Sequence, residues 1–251
     1  MSTLTDKVIV ITGASSGIGA ALAERVARDG ARPVLVARTR EMLEAVAARC
    51  NGQATVVVAD MTVRAEVRRA VAEAKSAHGR IDVWVNNAGR GISRVPTKLT
   101  EDDIDDMMRV NVKSAFFGMQ EALPAFRAQG GGHLINISSM LGRVPFALIR
   151  SSYSASKHFL SALTDAFRTE LTESDPGITV SLVSPGVVYT DFGKNAMHGG
   201  PDSRAIPGGQ DVADVVEVIV GVIESRRTDV YTRAGSQAQV AAYYAGLGTD
   251  P

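Results

Sequence analysis

The run Val8-Ile9-Val10-Ile11-Thr12-Gly13-Ala14-Ser15-Ser16-Gly17-Ile18-Gly19 decides the fold. Four β-branched apolar residues read as a buried strand, and three glycines follow at once. Behind them Ala20, Ala21, Ala23, Val26 and Ala27 form a small-residue helix face suited to close packing on a sheet. Glycines let the backbone turn tightly and approach a ligand. The helix that follows aims its free N–H groups at an anion, and the natural anion is the pyrophosphate of a dinucleotide. The spacing is Gly-x-x-x-Gly-x-Gly, not the Gly-x-Gly-x-x-Gly of the general fingerprint.

Outward from this stretch, strand and helix patterns alternate to the end of the chain. Strands are predicted over Lys7–Thr12, Pro33–Ala37, Ala54–Ala59, Asp82–Val85, His133–Ser138, Ile178–Ser184 and Asp229–Thr232. Beyond the helix stopped by Gly30, helices are predicted over Arg40–Arg49, Val63–Ala77, Asp102–Gln129, Ser154–Glu173 and Asp211–Ser225. The long third one is expected to bend near Pro124. Repeated βα units imply an α/β fold: one Rossmann-type, doubly wound parallel sheet of about seven strands with helices on both faces. With no repeat or linker to divide it, residues 1–251 read as a single dinucleotide-binding and catalytic domain.

Composition narrows the function classes. Lys+Arg and Asp+Glu are both 27, so the chain lacks the basic excess of a nucleic-acid or acidic-membrane binder. Its start, Met1-Ser2-Thr3-Leu4-Thr5-Asp6-Lys7, has no apolar segment of signal-peptide length, and Asp214 and Glu217 interrupt the apolar stretch from Val212 to Ile223. Cys50 is the only cysteine, which suits a reducing compartment. The expectation is a cytoplasmic protein with no nucleic-acid, membrane or metal partner.

Ligands of such sheets bind beyond the carboxyl ends of the strands. After strand two comes Ala37-Arg38, where an NAD site usually places an acidic residue for the ribose 2′-hydroxyl. A guanidinium would instead pair with a 2′-phosphate. Arg38, with Arg40 near it, thus favours NADP(H) over NAD(H), unless it is simply a solvated loop arginine. After strand three, Asp60-Met61 offers a carboxylate that either accepts from the adenine amine or caps the next helix, as Thr62 also could. After strand four, Asn86-Asn87-Ala88-Gly89 is suited to tying loops together or to lining a ligand. Strand five ends in Ser138-Ser139. Fourteen residues past Ser139 stands Tyr153, with Lys157 four further on, on one helix face. An ammonium near a phenol lowers the phenol's pKa, so the tyrosine can exchange a proton with an alkoxide.

Together these pieces resemble the short-chain dehydrogenase/reductase family. The resemblance is carried by Thr12-Gly13-x-x-x-Gly17-x-Gly19, Asp60, Asn86-Asn87-Ala88-Gly89, Asn111, Ser139, Tyr153-x-x-x-Lys157 and Pro185-Gly186 with Thr190, in order over residues 7–232. It implies Tyr153 as general acid/base and Lys157 as both ribose ligand and tuner of Tyr153. It implies that Ser139, rather than Ser138, polarises the substrate carbonyl, and that Asn111 organises a water in a proton relay behind Lys157. The cofactor site it implies comprises Gly13, Ser15, Ser16, Gly17, Ile18, Gly19, Arg38, Asp60, Met61, Asn87, Ala88, Gly89, Tyr153, Lys157, Pro185, Gly186, Val188 and Thr190. Asn87, Ala88 and Gly89 would flank the adenosine ribose, and Thr190 would contact the nicotinamide carboxamide.

The Ser139–Tyr153 interval is one residue longer than the family's commonest spacing, with the extra residue within Gly142–Arg150. From Gly235 onward the chain lacks the segment by which acyl-carrier-protein reductase-like members pack as tetramers. The resemblance still implies a homodimer or homotetramer, with the helices at 102–128 and 153–173 as a dimer face. Phe192–Gly209, broken by glycines and prolines, reads as a substrate lid. Ile92, Met140, Leu141, Phe146, Val187, Val188, Phe192 and Met197 are the expected pocket residues. They point to a small, largely apolar carbonyl or alcohol substrate, while Arg90, Arg143 and Arg150 are the arginines available to an anionic group. The implied activity is an NADP(H)-dependent hydride transfer between nicotinamide and a ketone, aldehyde or secondary alcohol. The alternative is a non-catalytic dinucleotide-binding regulator or scaffold on the same fold.

Overall fold

The computed structural model describes residues 3–248; residues 1–2 and 249–251, the ends of the expected 1–251 unit, lie outside it. Seven parallel strands form one sheet in the order β3-β2-β1-β4-β5-β6-β7. They are β1 (Val8–Thr12), β2 (Arg32–Ala37), β3 (Thr55–Val58), β4 (Val83–Asn86), β5 (Gly132–Ile137), β6 (Ile178–Ser184) and β7 (Asp229–Tyr231). The helices are α1 (Gly17–Arg28), α2 (Arg40–Ala47), α3 (Arg64–His78), α4 (Glu101–Met108), α5 (Ser114–Ala128), α6 (Ser151–Ser174), α7 (Val212–Ser225) and α8 (Ser236–Ala245).

Side-chain alternation along β1 assigns the two faces. Ile9 and Ile11 join the α1 and α7 layer with Leu22, Val26, Ile219 and Val220. Val8 and Val10 join the α3, α5 and α6 layer with Trp84, Met119, Phe126 and Leu171. Both faces are covered, so β1 is buried at every residue and reads as an unbroken apolar run. The chain leaves β3 at one edge and returns as β4 beside β1, so strand order reverses between β1 and β4. That reversal opens a crevice at their carboxyl ends.

Two predicted elements change and one is added. The long helix over 102–129 is interrupted at Arg109–Lys113, a π-helical turn, rather than at Pro124, which lies inside α5. The wider turn points the fully buried Asn111 side chain at the Arg90 backbone, whose N–H and C=O it binds at 2.8 and 3.0 Å. α6 starts at Ser151, not Ser154, so Tyr153 belongs to its first turn. α8 was not foreseen; its Tyr243 and Tyr244 pack beside the 143–146 loop, where Tyr243 meets Phe146 edge-on and the Tyr244 hydroxyl donates to the Arg143 carbonyl at 2.8 Å. No described helix is long and apolar enough to cross a membrane.

Candidate active site

The glycine stretch packs against the end of β4. A Cβ on Gly19 would lie 2.4 Å from the Gly13 carbonyl oxygen and 2.6 Å from Asn87 Nδ2; one on Gly13 would lie 2.9 Å from Ala88 Cα. Neither position has room for a side chain, and Gly13 adopts φ +66°. Asn87 Nδ2 donates to the Thr12 and Gly13 carbonyls at 2.9 and 3.3 Å. Thr12 Oγ1 accepts from the Asn87 and Ala88 N–H groups at 3.0 and 3.1 Å and donates to the Val85 carbonyl. Asn87 therefore serves the loop-tying alternative. Asn86 is buried and runs the other way, accepting from Trp84 Nε1 and donating to Asn136 Oδ1.

A cleft of about 1010 Å³ follows the strand ends from this loop. Ser15, Ser16, Gly17 and Ile18 line its middle, and Arg38, Asp60 and Met61 line one end. The Ser16 side chain makes no capping bond to α1, and only Thr190 comes within 4 Å of the place a Gly17 Cβ would take. The first turn of α1 thus keeps its N–H groups toward the cleft. Arg38 is exposed and forms no hydrogen bond or ion pair among the described residues. Asp60 Oδ1 accepts from the Thr62 N–H and hydroxyl at 2.8 and 2.7 Å. Burial pushes the Asp60 carboxyl up, but these two bonds and the charges of Arg38 and Arg109 outweigh it and hold the group below its ordinary range.

Ser139, Tyr153 and Lys157 come together at the other end, with Ala88, Gly89, Pro185, Gly186, Val188 and Thr190 also lining the cleft. Ser138 and Ser139 diverge. Ser138 Oγ faces α6, in hydrogen-bond contact with the Lys157 carbonyl and Ser161 Oγ. Ser139 Oγ accepts from Leu141 N at 3.1 Å, and its hydroxyl acts on the Tyr153 phenol. Lys157 Nζ donates to the Ile137 carbonyl at 2.8 Å and sits 5.9 Å from the Tyr153 ring centroid.

The spacing predicts a phenol lowered by Lys157. Here burial governs both groups. It pushes the Tyr153 phenol up to about 12, against the Ser139 hydrogen bond and the Arg150 charge, and pushes Lys157 down to about 8. Asn111 is committed to Arg90 and also donates to Ser156 Oγ at 3.1 Å. A Cβ on Gly89 would lie 3.1 Å from Asn111 Oδ1 and 3.6 Å from Lys157 Nζ, so both side chains border that glycine.

The structure sorts the expected pocket residues. Met140, Leu141, Phe146, Val187, Val188 and Phe192 line the cleft. Ile92 and Met197 do not; they form a β-bridge and pack under Tyr153 in a small core cluster. Residues 192–209 are irregular apart from a short 3-10 turn at Ser203–Ala205. They are held at Met197, which exchanges backbone bonds with Gly91 and Ser93, and by His198, which binds Asp103 at 2.7 Å. Of the three arginines, Arg143 pairs with Asp229, Arg90 with Asp106, and Arg150 lines the cleft beside Tyr153 with no acidic partner among the described residues. Thr12 and Arg109 were missed as site residues; Arg109 Nη1 binds Thr62 Oγ1 at 3.1 Å and also lines the cleft. Thr12 carried a signal, since it opens the glycine motif, while nothing local marks Arg109.

These features suit a long ligand, anionic at its middle. The free N–H groups of α1 meet its charge, an arginine waits at one end, and donors converge at the other.

The family model of the short chain dehydrogenases matches residues 7–199. An uncharacterized oxidoreductase of Staphylococcus aureus (strain MW2) is 36% identical over 219 residues, covering 86% of this chain and 91% of that protein. Among solved structures, a 3-ketoacyl-(acyl-carrier-protein) reductase from Brucella melitensis complexed with NADH is 29% identical with a TM-score of 0.82, covering 91% of this chain and 96% of that one. An alcohol dehydrogenase from the archaeon Thermococcus sibiricus complexed with 5-hydroxy-NADP is 26% identical with a TM-score of 0.78, covering 89% and 94%. By its family-model match and its curated relatives, the chain belongs to the short-chain dehydrogenase family of oxidoreductases.

Proposed function

We propose that the protein is an NADP(H)-dependent oxidoreductase acting on a ketone or aldehyde, or on the corresponding alcohol, with Tyr153 as general acid/base. The observation that carries this reading is the convergence of Ser139, Tyr153 and Lys157 at one end of a cleft that runs past the glycine loop to the unpaired Arg38. Gly13, Ser15, Ser16, Gly17, Ile18 and Gly19 would hold the pyrophosphate, and Asp60, Met61, Ala88 and Gly89 the adenosine, with Asn87 fixing the loop beneath them. Lys157, Pro185, Gly186, Val188 and Thr190 would hold the nicotinamide half. Arg38 supports NADP(H) because a carboxylate there would repel a 2′-phosphate while a guanidinium binds it. The bound dinucleotide supplies or takes the hydride.

The chain's own groups do the rest. Ser139 Oγ already accepts from Leu141 N, so its one hydrogen, which here acts on the Tyr153 oxygen, would turn to donate to a substrate carbonyl oxygen. The high pKa of Tyr153 keeps its phenol protonated near neutral pH, ready to give a proton to the alkoxide formed on reduction. Lys157, largely charged below about pH 8, donates to a ribose hydroxyl and stabilises the phenolate left behind. Asn111 and Lys157 both border Gly89, and a proton relay behind Lys157 would pass there. Residues 192–209 act as the lid over the substrate end of a single catalytic domain. Phe159 on α6, about half exposed, belongs to the face through which two copies pair. A reducing, cytoplasmic setting suits the lone thiol.

Tyr153→Phe tests the reading. It is expected to lower NADPH oxidation with a carbonyl panel by about 10²–10⁴-fold, the worth of positioned acid/base catalysis, while dinucleotide binding persists. Retained turnover in the variant would refute the assigned role.

A further inference from the structure

We propose that Arg150 is an anion-binding specificity residue and that the preferred substrate is an oxo acid, a carbonyl compound that also bears a carboxylate. This rests on the carbonyl chemistry proposed above. Arg150 is only 8% exposed, lines the cleft, and precedes Tyr153 by three residues, where α6 begins. Its charge acts on the Tyr153 phenol. Among the described residues no carboxylate lies within 4 Å of it, unlike Arg90, Arg94, Arg143 and Arg204 around it, each of which has an acidic partner.

One N–H of the guanidinium is used: Nη1 donates to the Ile92 carbonyl at 2.9 Å. The remaining donors have no protein acceptor, yet none is sealed from solvent as a buried orphan. They are therefore open to the cleft. One carbonyl oxygen satisfies little of the five-donor fork, so its remaining donors are left to water or to an anion that enters the cleft.

The surroundings are shaped around the group. A Cβ on Gly91 would stand 2.8 Å from Arg150 Nη1, and a Cβ on Gly200 would stand 3.0 Å from Nη2. Two glycines, one after β4 and one in the lid segment, thus leave the niche that the fork occupies. The hydroxyl of Ser93, buried and without a partner, borders the same Gly200 position at 2.7 Å. The Phe192 ring, at the start of the lid segment and 5.5 Å from that of Tyr153, supplies an apolar wall beside the reacting end. A carbonyl held by Ser139 and Tyr153 and a carboxylate held by Arg150 would orient a short substrate at two points.

The test compares matched carboxylates and methyl esters, 3-oxobutanoate with its ester and 4-oxopentanoate with its ester, by NADPH and NADH oxidation with the full-length protein. The unaltered enzyme is expected to prefer the acid of a pair at least tenfold in kcat/KM. Arg150→Gln should bring that ratio to near one, with the loss falling chiefly on KM for the acid, and Arg150→Lys should restore part of the preference. An ester reduced as well as its acid by the unaltered enzyme overturns the inference but leaves the carbonyl chemistry standing. So does an acid preference that survives Arg150→Gln. If no carbonyl, charged or neutral, is reduced, the proposed function itself fails. Should Arg150→Gln not fold, judged by its circular dichroism and thermal melt, the acid-to-ester ratio of the unaltered enzyme decides alone.

Discussion

Asn87→Ala separates a side chain that shapes the dinucleotide site from one that touches the ligand. The substitution removes the bonds from Nδ2 to the Thr12 carbonyl at 2.9 Å and the Gly13 carbonyl at 3.3 Å, while the Asn87 N–H keeps its bond to Thr12 Oγ1. An ordinary hydrogen bond contributes about 0.5–1.5 kcal/mol net, and the longer contact counts at the low end. The Gly13 carbonyl and Gly19 also lose the group they pack on. The sum is about 2 kcal/mol, which for a chain of this size lowers Tm by about 4–8 °C. A loosened loop must also be ordered on binding, so dinucleotide affinity should fall about tenfold, equivalent to about 1.4 kcal/mol. Arg38→Ala is the contrast. Its side chain is exposed and unpaired, so stability should stay within about 0.5 kcal/mol while NADPH affinity drops. Scanning calorimetry and fluorescence titration on the same preparations read both quantities. If Asn87→Ala weakens binding with no change in Tm, Asn87 contacts the ligand and the loop-tying account is wrong.

Further outcomes follow from the same geometry. Arg38→Asp should cut the NADP/NAD ratio of kcat/KM at least tenfold, the worth of about one charge-assisted bond; an unchanged ratio removes Arg38 from the cofactor site. Because burial holds Lys157 near 8, dinucleotide affinity should weaken as pH rises through that value, where the ammonium is lost, and a flat titration from slightly acidic to strongly basic pH would contradict this. His133 is buried, hydrogen-bonds Ser181 Oγ at 2.7 Å, and is pushed by burial down to about 3. Its folded pKa lies below its unfolded value of about 6.5, so its contribution to stability is complete above that pH and is lost as pH falls toward 3. Urea unfolding of the unaltered protein and of His133→Leu should differ in slope by about 1.4 kcal/mol per pH unit over that window.

Much of this was legible along the chain because its causes are local. The β-branched run of Val8–Thr12, the glycine spacing after it and the i, i+4 pair of Tyr153 and Lys157 each express short-range geometry. Alternating βα units restrict the topology to a parallel sheet because crossovers have one hand. The family of oxidoreductases was therefore readable along the chain, as was the end of the sheet where its cleft lies.

What tertiary structure decided are the matters that depend on environment. No local pattern chooses loop-tying over ligand contact for Asn87, or says that Ile92 and Met197 pair beneath Tyr153 rather than face the cleft, or that the break near Asn111 precedes Pro124. Arg90, Arg143 and Arg150 are equivalent letters in the sequence; only packing pairs two with acids and leaves the third buried and open to the cleft. The Tyr153 phenol shows the same limit. Spacing places the ammonium near it, but the pKa is set by how much water is excluded, and burial is a property of the whole fold.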